Sequence, residues 1–258
     1  MIGVFGSPGF YKFIDSLETI DKETPFGKPS SPVTIGTIGG REVAFIARHG
    51  LQHEFPPHRI PYKSNLYAFK ELGVTRIIAP AAATSLKREI EPGSFLVPDQ
   101  FVNFTRRNDT FYEERPVTHI SCAEPYCPEL RKLLAEAGKQ MQMKMHEKGT
   151  EVVIQGPRFP SLAESAFYRS QGWDAVDMTQ YPEMVLAREL EMCYASISLV
   201  TDYDAGIKAA IPAGEISVIA AGLTENNENL RKLIFEAIPK IAEVRTCICS
   251  HALESSRD

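Results

Sequence analysis

No run in this chain approaches the roughly 18 consecutive apolar residues of a membrane helix, so a membrane partner is not expected. Basic stretches interleaved with aromatics are also lacking, and the formal net charge is -5. Nucleic acid is therefore not expected as a partner either. The start, Met1-Ile2-Gly3-Val4-Phe5, lacks the basic segment of a signal peptide, which gives a cytoplasmic expectation. Cysteine is sparse and odd in number, with five residues at 122, 127, 193, 247 and 249. That count does not suggest a secreted disulfide scaffold. Cys247-Ile248-Cys249 has the form of half a metal site or a redox pair. No second ligand pair lies nearby in sequence, so it reads as two ordinary thiols on a late helix and no metal is expected. No repeat, low-complexity tract or linker divides the chain, and residues 1–258 read as one domain. With 43% hydrophobic and 24% charged residues, a chain of this length can bury a large core.

What is present is an alternation of short apolar runs with amphipathic ones. Ile2–Phe5 reads as a buried strand. Val33–Ile38 and Glu42–Ala47 flank Gly39-Gly40, a two-residue hairpin signal. Leu66, Phe69 and Leu72 have helical spacing over 62–72, and Gly73 stops that helix. Thr75–Ala79 and Phe95–Pro98 read as strands on either side of a Glu91-Pro92-Gly93 turn. Pro128 suits the first turn of a helix over about 129–145. Glu151–Ile154, Ala175–Asp177 and Tyr194–Val200 read as strands. Ser161-Leu162-Ala163-Glu164 has capping-box spacing and opens a helix; another follows from about Pro182. Helices around 215–223 and 226–253 finish the chain. The pattern is α/β, a mixed central sheet flanked by helices.

In such sheets ligands gather beyond the carboxyl ends of strands. The first strand leads to Gly6-Ser7-Pro8-Gly9, an anion cradle or a plain turn. Arg48-His49-Gly50 follows the hairpin and suits an oxyanion; a surface salt bridge with a satisfied histidine explains it as well. Met178-Thr179 offers a thioether for a flat ring or sugar and a hydroxyl, although Met178 also fits a core. Asp202 and Asp204 lie past a buried strand, where carboxylates are costly unless used or solvated. They bond a base edge, or serve as cap and turn residues. In Gly156-Pro157-Arg158-Phe159, Phe159 suits stacking on a base and Arg158 bracing of the loop. Together these describe an anion site beside a flat heterocycle.

The carrying segments are Thr24-Pro25-Phe26-Gly27-Lys28-Pro29-Ser30, Ala47-Arg48-His49-Gly50-Leu51-Gln52-His53, Pro98-Asp99-Gln100-Phe101, Ala123-Glu124-Pro125-Tyr126-Cys127-Pro128, Gln155-Gly156-Pro157-Arg158-Phe159, Met178-Thr179, Pro182-Glu183 and Thr201-Asp202-Tyr203-Asp204. In this order, over nearly the whole chain, the sequence resembles the methylthioadenosine phosphorylase branch of the trimeric purine nucleoside phosphorylase family. The resemblance implies a single-domain nucleoside phosphorylase fold and a homotrimer or dimer of trimers, with sites near subunit interfaces. It implies phosphorolysis of 5′-methylthioadenosine or a related 5′-modified adenosine. Inorganic phosphate is the co-substrate, and no cofactor is needed.

By the same resemblance, Ser7, Arg48, His49, Ala81, Ala82 and Thr179 hold phosphate. Arg48 and His49 position it and supply charge. Met178 lines the ribose, Phe159 lies by the purine, and Asp202 and Asp204 meet N7 and the 6-amino edge. Asp202 and His49 are the catalytic candidates, Asp202 because the leaving purine needs a proton or strong hydrogen bond at N7. Asp202 stands where the 6-oxopurine branch usually has asparagine, which favours adenosine-type bases. His119 lies on a loop that in this family can reach a neighbouring subunit's site. Ile216 and Ile219 fall where the family has its apolar 5′ pocket, and also suit helix packing. Cys127 with Cys193, and Cys247 with Cys249, resemble positions that form disulfides in some heat-stable relatives.

The sequence departs from that pattern. Ala81 stands where a phosphate-binding threonine is common, and Thr84 where glycine is usual, a change that reshapes the loop if that backbone needs positive φ. Ser7 replaces a threonine and keeps the hydroxyl. Pro160 and Leu162 replace polar residues, and Asp177 replaces an asparagine. These changes leave three alternatives: a phosphate-independent nucleosidase, with Asp177 as the water-activating candidate; a purine nucleoside phosphorylase of broader or different specificity; and a non-catalytic nucleoside-binding protein.

Overall fold

The structure, a computed structural model, describes residues 1–7, 14, 17–114, 117–207, 216–254 and 256, with the backbone alone for 216–225. The elements run β1 (Ile2–Gly6), β2 (Glu18–Ile20), β3 (Val33–Ile38), β4 (Arg41–Ala47), α1 (Tyr62–Glu71), β5 (Arg76–Ser85), β6 (Phe95–Leu96), β7 (Gln100–Phe104) and α2 (Pro128–Gln140). They continue with β8 (Met145–His146), β9 (Thr150–Ile154), α3 (Leu162–Ser170), β10 (Ala175–Asp177), α4 (Gln180–Glu189), β11 (Cys193–Tyr203) and α5 (Ile216–Ala237).

One mixed sheet carries these strands, in the order β2-β3-β4-β1-β5-β10-β9-β7. The long strand β5 organises it. Its first half pairs in parallel with β1, its end pairs antiparallel with β10, and its other edge pairs in parallel along β11. β11 also pairs with β6, and β6 with β8. The β3–β4 hairpin turns at Gly39 and Gly40, with φ of 54° and 78°; positive φ at both central positions is the hairpin geometry that favours glycine. Two apolar layers cover the sheet. One joins Val4, Phe95 and Ile197 to Leu130, Leu134, Leu230 and Leu233 from α2 and α5. The other joins Phe5, Ile46 and Ile77 to Leu66, Phe69, Met184 and Leu186 from α1 and α4.

The structure corrects several sequence expectations. One helix spans Ile216–Ala237 in place of the two expected. It ends well before 253 because Pro239 cannot continue the ladder; a 3-10 turn covers Ile238–Lys240. Cys247 and Cys249 therefore lie at and within a 3-10 turn, Ile248–His251, and not on a long helix. α2 ends at Gln140, with Gln142 at φ 58°. β5 continues to Ser85, beyond the expected Ala79, and β2, β7 and β8 were not anticipated. The α3 capping box forms in full: Ser161 Oγ accepts from the Glu164 N–H, and Glu164 accepts from the Ser161 N–H. Pro182 does open the regular part of α4, since Tyr181 before it has extended φ/ψ. No described helix is long and apolar enough to cross a membrane.

Candidate active site

β4 and β1 pair in parallel with Ala47 opposite Gly6. Ser7 and Arg48 thus leave neighbouring strand ends side by side, and the Arg48 N–H donates to the Gly6 carbonyl at 3.2 Å. β5 and β11 bring their carboxyl ends to the same edge. β10 runs antiparallel to the end of β5, which turns the following Met178-Thr179 back toward Pro80–Ala83.

Arg48 is fully buried beneath this edge. Its Nε and Nη2 donate to the two Glu183 carboxylate oxygens, each at 2.8 Å, and its Nη1 donates to the Pro80 carbonyl at 2.6 Å. The face of Phe5 packs 5.2 Å from the guanidinium centre. Tyr194 donates its hydroxyl to Glu183 Oε2 at 2.8 Å. Burial alone would weaken the positive charge, but Glu183 more than offsets it and raises the guanidinium above its ordinary range. These contacts commit three of the five N–H donors of a guanidinium. The remaining two have no acceptor among these contacts.

His49 is buried beside it, and its ring stacks on His53 with centroids 4.5 Å apart. Nδ1 lies 2.8 Å from the Phe55 carbonyl. A carbonyl only accepts, so Nδ1 carries the hydrogen and Nε2 of the neutral ring is an acceptor. Burial, reinforced by Arg48 and opposed by the Phe55 carbonyl, lowers the imidazole pKa from 6.5 to about 4. At neutral pH His49 thus adds no charge. The charge expected of the pair belongs to Arg48, and His49 offers a lone pair.

Across the site, the β5–β11 register slips once. Val200 pairs with Ala83 and Asp202 with Thr84, leaving Thr201 as the extra residue of a β-bulge. Such bulges re-aim side chains. Asp202 Oδ1 accepts from the Tyr203 N–H at 2.7 Å, while Oδ2 is buried without a hydrogen-bond partner among the described residues. A buried carboxylate oxygen in that state is costly and suits a ligand donor. Asp204 is buried and accepts from Thr84 Oγ1 at 3.2 Å and from Ser165 Oγ. Desolvation raises its pKa, with the Ser165 and Thr84 hydroxyls working against that. Thr84 lies within β5 and does not have positive φ.

Thr179 is buried, and its N–H donates to Asp177 Oδ2 at 2.7 Å; the Gln180 N–H donates to the same oxygen at 2.7 Å. Asp177, 1% exposed, therefore closes the start of α4 with Oδ2 on backbone, while Oδ1 accepts from the Thr179 hydroxyl at 3.4 Å. Gly156, at φ 59°, packs so closely on Met178 that a Cβ there would lie 2.8 Å from the sulfur. That contact fixes the 155–159 loop against the Met178 side of the site. Arg158 braces the loop through Glu164 at 2.8 and 2.7 Å. Phe159 is 54% exposed. Ser7 and Ala81 are buried, and Ala82 is half-buried.

His119 stands apart on an exposed loop, its N–H donating to the Ser256 carbonyl at 2.7 Å. The side chains of Ile216 and Ile219, together with Pro8 and Gly9, lie outside the described residues. A separate cleft of about 410 Å³, lined by Phe26, Tyr62, Lys63, Arg106, Arg107 and Gln155 among others, contains none of the expected site residues.

Sequence reasoning gave no role to Glu183, Tyr194 and Ser165. A usable signal existed for Glu183: a buried arginine requires a counter-charge, and Pro182-Glu183 was already conspicuous at a helix start. Ser165 carried no signal, being one small polar residue inside a helix.

Comparison with known proteins places the chain among its relatives. S-methyl-5'-thioadenosine phosphorylase of Pyrococcus furiosus is 48% identical over 255 residues, covering 98% of each chain. That of Mycolicibacterium smegmatis is 47% identical over 258 residues, covering 99% of this chain and 96% of the relative. Methylthioadenosine phosphorylase from Schistosoma mansoni, solved in complex with adenine, superposes with a TM-score of 0.93 at 31% identity, covering 100% of this chain and 98% of that one. The family model described as phosphorylase superfamily matches residues 2–239, and the chain belongs to that superfamily.

Proposed function

We propose that this protein is a methylthioadenosine phosphorylase: with inorganic phosphate it splits 5′-methylthioadenosine, or a closely related 5′-modified adenosine, into adenine and the 5-modified ribose 1-phosphate. The observation that carries this reading is the pairing of a pre-clamped Arg48 with the unpartnered Asp202 Oδ2 at one sheet edge. The names of the relatives support the substrate.

Phosphate lies on Arg48, Ser7 and Thr179, beside Ala81 and Ala82, with its hydroxyl donating to His49 Nε2. Its oxygen forms a bond to C1′ as the bond from C1′ to the purine breaks, and the bonding pair leaves with the base. A proton on Asp202 meets N7, so the base departs neutral. Asp204 faces the 6-amino edge, Met178 the ribose and Phe159 the purine. Ile216 and Ile219 line the 5′ group, and a neighbouring copy contributes His119 in a cytoplasmic homotrimer or dimer of trimers. The reaction needs no metal or organic cofactor. The water-using alternative loses support because Asp177 Oδ2 accepts from two backbone N–H groups and Oδ1 from the Thr179 hydroxyl.

Adenine release from methylthioadenosine, followed with and without added phosphate, tests the proposal. Release is expected only with phosphate; equal release without it overturns the reading.

A further inference from the structure

Four cysteines far apart in sequence converge at the opposite end of β11 from Asp202. Cys127 stands at the N-cap of α2, Cys193 opens β11, and Cys247 and Cys249 come from the C-terminal turn. Their four sulfurs all lie within 4.8 Å of one another, and all four residues are buried. Cys247 Sγ is 3.4 Å from Cys193 Sγ and 3.7 Å from Cys127 Sγ. All are free thiols. They sit inside the apolar layer with Leu130, Leu134 and Leu233.

These spacings do not single out two isolated pairs, since Cys247 Sγ lies within 3.7 Å of both Cys193 and Cys127. A tetrahedral thiolate site with metal–sulfur bonds of about 2.3 Å has sulfur–sulfur edges of about 3.8 Å. The observed separations, 3.4 and 3.7 Å with all others within 4.8 Å, straddle that edge, so small side-chain rotations suffice. Sulfur-only donors exclude calcium and magnesium, which take oxygen, and select thiophilic ions. Apolar walls keep water from a fifth position. Cys127 at the head of α2 places one thiolate where the helix dipole favours negative charge.

We propose that Cys127, Cys193, Cys247 and Cys249 form a closed structural site for one thiophilic divalent cation of the zinc type. Binding releases the four thiol protons, so affinity rises with pH. The ion ties the C-terminal turn to α2 and to the start of β11, joining positions 120 and 54 residues apart. Cys193 and Asp202 lie roughly 30 Å apart along the strand, at ~3.3 Å per residue. The ion therefore stabilises the fold and takes no part in the reaction, and the proposal stands independently of the substrate.

The test uses the full chain, fully reduced, stripped of metal and titrated with cobalt(II). One equivalent per chain is expected, with the visible bands and sulfur-to-metal charge transfer of a tetrahedral tetrathiolate. Metal analysis of protein isolated under reduction without chelator should find one zinc per chain, and its removal should lower Tm. Cys249→Ser should lose the tetrathiolate spectrum, while Cys122→Ser, outside the cluster, should keep it. The wild-type spectrum decides the matter even where a variant fails to fold. Reduced protein that shows no such bands overturns the proposal, as does metal-free protein isolated anaerobically with the four cysteines paired as disulfides.

Discussion

Glu183 grips Arg48 through two hydrogen bonds of 2.8 Å, and neither side chain is exposed to solvent. Parallel, charge-assisted bonds of this kind fix a guanidinium in its plane. Their value here is orientation: the protein sets the plane of the guanidinium by itself. Removing one partner of a buried pair costs about 3–5 kcal/mol. Glu183→Gln should lower the urea midpoint accordingly and raise the phosphate KM more than the nucleoside KM. An unchanged midpoint together with an unchanged phosphate KM would show that Arg48 is held by other contacts.

His49 makes stability depend on acidity. Its folded pKa of about 4 lies below the ordinary 6.5, so the unfolded chain binds the extra proton first. The stability it contributes is whole above about 6.5 and is lost as pH falls toward 4. At about 1.4 kcal/mol per pKa unit, the loss is on the order of 3 kcal/mol. Thermal unfolding of wild type and His49→Gln between these limits should diverge, with the variant showing the shallower slope. Parallel curves would remove His49 as the source.

Asp202→Asn keeps the shape at the bulge and removes the acid. General acid catalysis typically contributes ~10²–10⁴-fold, so kcat for adenine release should fall within that range with the circular dichroism spectrum unchanged. Near-normal turnover would assign the N7 proton to another group.

Ser165 reaches Asp204 from α3. Ser165→Ala removes a donor to a buried carboxylate, at a cost of about 1–3 kcal/mol. The nucleoside KM should rise while the phosphate KM stays put. A change confined to phosphate would place Asp204 on the wrong side of the site.

Local signals made much of this fold legible. Gly39-Gly40, the Ser161–Glu164 box and the apolar run of β11 each name an element by their own chemistry. Arg48, His49, Asp202 and Asp204 were legible as candidates because polar groups directly after buried strands have few uses. The partners that hold them were not. Glu183 lies 135 residues from Arg48, and Ser165 lies 39 from Asp204; no short window contains either pair. The cysteines show the same limit, since Cys247 and Cys249 look like half a site until β11 and α2 bring the other half. The long final helix was over-extended because Ile238 and Ile241 continue an apolar rhythm that Pro239 interrupts. β8, two residues long, exists through tertiary pairing alone.

The bulge at Thr201 has one more consequence. One extra residue there bends the strand and re-aims the side chain beside it. The site therefore depends on a count as much as on residue types. Deleting Thr201 would leave every acid, base and guanidinium in the chain, and the ladder beside β5 would become regular. Asp202 would keep its place opposite Thr84 but lose the bulge that sets the angle of its carboxylate, so the aim of that group rests on a neighbour with no acid or base chemistry of its own.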